Sequence, residues 1–187
     1  PLFATSSTGL KLNESHSPQL SVKDTIARID LQISEFEKNG NRAGLTSALT
    51  EKAAIYNRIG RYDDALMTAN QALLVANEEG REQIVEPVYQ LLSIIHIENE
   101  LIFEAAEYLY AGYQKSLDMK DTAKIGWYLV NLSEVEEYLG RVSNAMEINL
   151  TAIDFFKNTR DSLSLAKIYR AQGVAHAELK NFLTAED

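Results

Sequence analysis

The sequence predicts an all-α protein in which antiparallel helix pairs stack in a line as an α-solenoid. Three observations predict it. One residue register recurs every forty positions, small residues hold fixed columns within it, and apolar residues return at three and four through each segment. The composition permits this and excludes much else. With 187 residues, 45% apolar and 24% charged, the chain is neither collagen-like nor of the kind that stays disordered. Three prolines and nine glycines leave room for long helices. Its 27 Asp and Glu against 18 Lys and Arg give a net charge of −9, which argues against nucleic-acid phosphates or an anionic lipid surface as the main partner. Without cysteine the chain has no disulfide, zinc thiolate or thiol nucleophile. No apolar run approaches the ~18 residues that span a bilayer, so no membrane contact is expected of this region.

The register is read from Ala65, Ala105 and Ala145, and it extends forward to Ala185 and back to Thr25. Three positions earlier stand Val22, Tyr62, Ile102, Val142 and Phe182, all apolar. Seven positions later stand Ala72, Gly112 and Ala152, and twelve earlier Ala53, Ser93, Ser133 and Gly173, all small. Small residues at helical spacing let two helix backbones approach closely, and the bulky neighbours fill the rest of the contact.

The elements follow in order. Residues 1–20 are rich in Ser, Thr and Asn, carry Gly9 and Pro18, and are expected as a mobile leader or an extended strap. Pro1 to Ala4 resemble the close of an apolar signal segment, which points to a periplasmic rather than a cytoplasmic location. The repeat domain is expected over 21–187, with full units at about 41–80, 81–120 and 121–160 and partial units at 21–40 and 161–187. Each full unit has an A helix (42–58, 82–98, 122–138, with a fourth at 162–178) and a B helix (61–78, 101–118, 141–158). An additional B helix at 21–38 precedes them. Gly60 and Gly140 follow A helices and Gly40 and Gly80 follow B helices, where glycine takes the left-handed cap at no steric cost. Asp121 and Asp161 stand where A helices begin and can accept their orphan N–H groups, while Asp63, Asp64 and Glu104 suit the dipole at B-helix starts. A B helix is expected to have barely begun at Asp187, with further repeats or domains to follow.

The segment Ala53-x-x-Tyr56-x-x-x-Gly60-x-Tyr62-x-x-Ala65-x-x-x-Ala69-x-x-Ala72 resembles the tetratricopeptide repeat. The likeness runs from about residue 21 to the end. In the second unit Glu100 replaces the turn glycine and His96 the aromatic residue, and in the fourth Lys180 replaces the glycine. The common unit has 34 residues. The longer variety resembles repeats of kinesin light chains and of the sensor regions of bacterial signalling proteins, histidine kinases and diguanylate cyclases among them. The turns around Leu117–Asp121 and Lys157–Asp161 resemble the bacterial type. A HEAT-like solenoid fits the small columns and turn glycines less well. The resemblance implies a right-handed superhelix with the A helices on its concave side.

Catalytic signatures are missing: there is no phosphate-cradling Gly-x-x-x-x-Gly-Lys loop, no His-Glu-x-x-His pair and no Gly-x-Ser-x-Gly elbow. The chain is therefore expected not to be an enzyme, and to hold no cofactor or metal. His96 and His176 share a column, but two units of packed helices hold them ~30 Å apart, too far to share an ion. Each is expected between helices, partly buried and hydrogen-bonded. Glu136-Glu137 and Glu78-Glu79 point apart and are expected on a solvated face. The stretch from Glu78 to Glu107 carries eight Glu and only Arg81 as a base, which either attracts a basic peptide or confers solubility. The sequons at Asn131 and Asn149 fall inside helices and are read as accidental.

Carried over residue by residue, the resemblance places ligand-facing positions at Thr50, Glu51, Asn57 and Arg58 in the first A helix, and at Gln90, Leu91, Ile94 and Glu98 in the second. Trp127, Val130, Asn131, Glu134 and Tyr138 follow in the third, and Lys167 and Arg170 in the fourth. Asn131 and Gln90 can grip a peptide backbone, and Lys167 and Arg170 can hold an acidic group. Trp127 supplies stacking area or packs on the preceding B helix. A clamp for chaperone tails is rejected, since its paired Lys, Asn and Arg are met here by Thr50, Ala54 and Leu91, and only Asn131 and Lys167 agree. The expected function is a protein- or peptide-binding module, the sensory or interaction region of a larger bacterial signal-transduction protein. The alternative is a scaffold or homodimer formed through the last A helix, by Ile168, Val174 and Leu179.

Overall fold

A computed structural model describes the backbone of residues 21–157, 159 and 161–185, and the side chains there other than those of Glu79, Glu82 and residues 178–185. The expected leader lies outside the described residues. Eight helices and no strand make up the described chain. They are α1 (Val22–Asn39), α2 (Arg42–Arg58), α3 (Tyr62–Glu79), α4 (Glu82–Glu98), α5 (Ile102–Asp118), α6 (Thr122–Tyr138), α7 (Val142–Lys157) and α8 (Ser162–Ala185). The A helices α2, α4 and α6 have the bounds the register expects, and the B helices α1, α3, α5 and α7 differ from theirs by no more than one residue at each end.

The columns explain the packing. Ala65, Ala105 and Ala145 are all buried, as are Ala53, Ser93 and Ser133, and Ala72, Gly112 and Ala152. Consecutive helices pack all along the chain. In addition α2 touches α4 and α6 touches α8, whereas no two B helices come as close. At the first and last steps the stack is thus tighter on its A side, and between α4 and α6 side chains make the join, so the A-helix face is the inner one. Gly173, in the column of Ala53, is exposed on α8.

Five of the chain reversals use one device. After α2 the Gly60 N–H reaches the Asn57 carbonyl (3.0 Å) and Arg61 N–H the Tyr56 carbonyl (2.9 Å), a Schellman closure with Gly60 at φ 75°. Gly40 and Gly140 repeat it. So do Glu100 (φ 61°) and Lys120 (φ 56°), although neither is glycine. A left-handed non-glycine residue costs about 1–2 kcal/mol, offset here by the packing of α5 and α6. Glu100→Gly or Lys120→Gly is therefore expected to raise stability by about 1 kcal/mol, measured as a higher urea midpoint at unchanged slope. An unchanged or lower midpoint would contradict the strain.

The last turn differs from expectation. Helix α8 runs unbroken from Ser162 to Ala185, with no second helix opening near 181. Lys180 stands in the column of Gly60, Glu100 and Gly140, and here the backbone stays helical through it, so the left-handed cost is not incurred. The side-chain caps are as expected: Asp121 accepts from Lys124 N–H (3.1 Å) and Asp161 from Ser164 N–H (3.0 Å). Ser21 and Asn41 cap α1 and α2 in the same way.

Candidate functional site

The side chains that the A helices present follow from the register. Ser47, Pro87, Trp127 and Lys167 form one row across α2, α4, α6 and α8, and Thr50, Gln90, Val130 and Arg170 form the next. Between the first halves of α2 and α4 these rows border a cavity of about 370 Å³ lined by Ala43, Thr46, Ser47, Thr50, Glu51, Gln83, Ile84 and Pro87. Thr50 and Glu51 were expected there. Ser47 and Pro87 also line it; they stand eighty and forty positions before Trp127 in the same column, so extending that column backward from Trp127 locates them. Thr50 turns its hydroxyl to the Thr46 carbonyl (2.7 Å) and Thr46 turns its own to Arg42 (3.0 Å). The cavity's open polar groups are therefore Ser47, Glu51 and Gln83, with Glu51 also paired to Arg28 at 3.2 Å.

The other expected residues divide. Arg58, Tyr138, Lys167 and Arg170 are exposed, and Gln90, Ile94, Trp127, Val130, Asn131 and Glu134 are half-buried along the face. Asn57 departs from the expectation. It is 9% exposed, donates its amide to Glu98 of α4, and leaves its Oδ1 without a hydrogen-bond partner, so it ties two A helices together. Asn131 likewise donates to the Trp127 carbonyl on its own helix (2.7 Å), which engages one N–H of the amide expected to grip a peptide. Trp127 is half-buried on α6 and packs beside the cluster formed by α5 and α6. It packs edge-on against Tyr128 (5.0 Å, 85°) and keeps part of its ring on the inner face. Lys167 and Arg170 make no ion pair among the described residues.

Between α4 and α6 the face is joined by side chains. Glu86, fully buried, is paired with Lys124 and accepts the Tyr128 hydroxyl at 3.0 Å. Burial above all, and the Glu86 carboxylate beside it, push that hydroxyl far above the ordinary tyrosine range. Glu136 is also fully buried, held by Arg141 (3.2 Å) and Asn144 (3.0 Å). This corrects the solvated face expected for the Glu136-Glu137 pair: the position is the one filled by Tyr56 and His96 in earlier units, and it faces inward. His96 meets its expectation, buried with Nδ1 2.7 Å from the Leu92 carbonyl. His176 does not; it is exposed, beside Gln172. Ile168 is 1% exposed within the cluster of Ile125, Leu129, Ile153 and Phe156, so it offers no open face to a second copy. Among the described residues no cluster of three His, Asp or Glu is placed to hold a metal ion, and no helix is long and apolar enough to cross a membrane.

No family model matches the chain, and no curated protein matches its sequence. Solved structures do match its fold. BtubC (BKLC) from P. vanneervenii aligns with a TM-score of 0.66 and 18% identity over 84% of this chain and 66% of its own. Aspartyl phosphate phosphatase F from Bacillus subtilis aligns at 0.73 and 11% over 89% of this chain and 46% of its own. A putative kinesin light chain from Podospora anserina with nearly identical tetratricopeptide-like repeats aligns at 0.67 and 16% over 86% and 84%. The chain thus spans under half of the phosphatase and about two thirds of BtubC. At these identities the likeness establishes architecture: the fold is an all-α, tetratricopeptide-like solenoid.

Proposed function

We propose that the chain is a protein-binding repeat module whose A-helix face holds an extended segment of a partner. The cavity between α2 and α4 carries this reading. It opens on the inner face, combines an apolar wall (Ile84, Pro87) with hydroxyl, amide and carboxylate groups, and continues into a row ending at the cations Lys167 and Arg170. An extended peptide with small or polar residues toward α2, an apolar residue near Trp127 and an acidic one toward α8 fits that order.

A peptide array, read with the chain and with Ser47→Arg and Lys167→Glu, tests this. Both positions are exposed, so the variants are expected to fold, as circular dichroism can check. Retained peptides should bind each variant about tenfold more weakly, with acidic peptides lost first from Lys167→Glu. Equal retention by all three proteins would remove the A-helix face from the function. The finer reading, a sensory or interaction region of a larger bacterial signalling protein, rests on the long forty-residue unit and its turns, with the likeness to a Bacillus phosphatase named for aspartyl phosphate as support. The parent gene tests it: an output domain encoded beyond Asp187 is expected.

A further inference from the structure

On the B-helix side, away from the proposed groove, a slot of about 290 Å³ lies between α5 and α7 over α6. Tyr110 and Tyr113 form one wall, Leu129 and Leu132 the floor, and Glu147 and Ile148 the other wall. The register explains why the slot exists. Forty positions before Leu129 and Ile148 stand Tyr89 and Tyr108. In that preceding unit the two rings lie 6.2 Å apart, and Tyr108 also leans on His96 at 5.1 Å. Aliphatic residues replace both rings one unit later, and space is left where a ring stood.

The charge of the slot narrows what fills it. Glu147 makes no ion pair among the described residues, and no lysine or arginine lines the slot. Glu136, buried nearby and close to the Tyr110 hydroxyl, is already engaged by Arg141 and Asn144. The slot therefore offers, at the rim of an aromatic and aliphatic recess, a carboxylate with no ion-pair partner among the described residues, while the nearby Arg141 is held by Glu136.

We infer that this slot receives an arginine side chain of a partner polypeptide. A guanidinium is flat enough to lie against the Tyr110 and Tyr113 rings and has the N–H groups to pair with Glu147, while its methylene stem covers Ile148. A lysine supplies the charge without the plane. A tyrosine supplies the plane and leaves Glu147 unpaired. The site shares no residue with the A-helix face and stands whether or not that face binds a peptide.

The test is a titration of the isotope-labelled chain with N-acetyl-arginine amide, followed by amide NMR shifts on α5 and α7, with N-acetyl-lysine amide and N-acetyl-tyrosine amide as comparisons. Saturable shifts around Glu147 are expected, strongest for arginine. Glu147→Gln, an exposed change, should weaken arginine binding about tenfold. Ile148→Tyr, which restores the ring of the preceding unit, should abolish it. Absence of saturable shifts, equal binding of lysine or tyrosine amide, or undiminished binding by Ile148→Tyr would each overturn the inference. Should Ile148→Tyr not fold, unchanged binding by Glu147→Gln does so alone.

Discussion

Replacing Lys124 by Met is expected to destabilise the chain by about 3 kcal/mol. Glu86 is fully buried and has two partners, Lys124 and Tyr128. Removing the cation leaves a carboxylate in the interior with a single hydroxyl to hold it, and breaking a buried pair this way typically costs ~3–5 kcal/mol. The lower end applies because the Lys124 side chain is 29% exposed, so water reaches its end of the pair. Two companion variants separate charge from volume. Glu86→Gln keeps an acceptor for Tyr128 and should cost about 1 kcal/mol. Lys124→Met combined with Glu86→Leu removes both charges and should recover most of the loss. Urea denaturation measures all three. A Lys124→Met variant within about 0.5 kcal/mol of the parent would show that the pair is held in water.

Gly112→Ala should cost about 2 kcal/mol, although alanine favours a helix over glycine by about 1 kcal/mol. A Cβ at Gly112 would lie 2.1 Å from the Tyr128 hydroxyl oxygen and 2.3 Å from the adjoining ring carbon. Tyr128 is fully buried and tied to Glu86, so its ring cannot swing away. The neighbouring units show the alternative solution. Ala72 and Ala152 hold the column of Gly112, and Val88 and Ile168 hold the column of Tyr128. Glycine with tyrosine thus replaces alanine with an aliphatic residue. The double variant Gly112→Ala with Tyr128→Ile should lose less than the sum of its single changes, and strict additivity in denaturation would contradict the steric account.

These two pairs also mark where the sequence stopped being readable. Helix bounds and columns were legible because a hairpin cannot close around a large residue at Ala65, Ala105 or Ala145, and that demand recurs in every unit. The buried carboxylates were not. A glutamate in an acidic helix reads as solvated, and Glu86 finds Lys124 and Tyr128 thirty-eight and forty-two positions away, contacts that exist only once the units stack. The register located the turns at Glu100 and Lys120, but not their left-handed backbone, because hydrogen bonding and packing hold a conformation that local preference opposes there. On the inner face the columns located the helices that line the cavity. They could not say that Asn57 and Asn131 spend their amides on Glu98 and on Trp127, which depends on side-chain torsions.

The stacking register itself is open to one direct measurement. Met67, Glu107 and Glu147 occupy equivalent exposed positions on α3, α5 and α7, and the chain has no cysteine to interfere with labelling. Spin labels placed pairwise on cysteines at these sites should give matching 67–107 and 107–147 distances, each about two helix layers or roughly 15–20 Å between backbones, and a clearly longer 67–147 distance. Unequal single steps, or a 67–147 distance no longer than one step, would contradict the forty-residue stack.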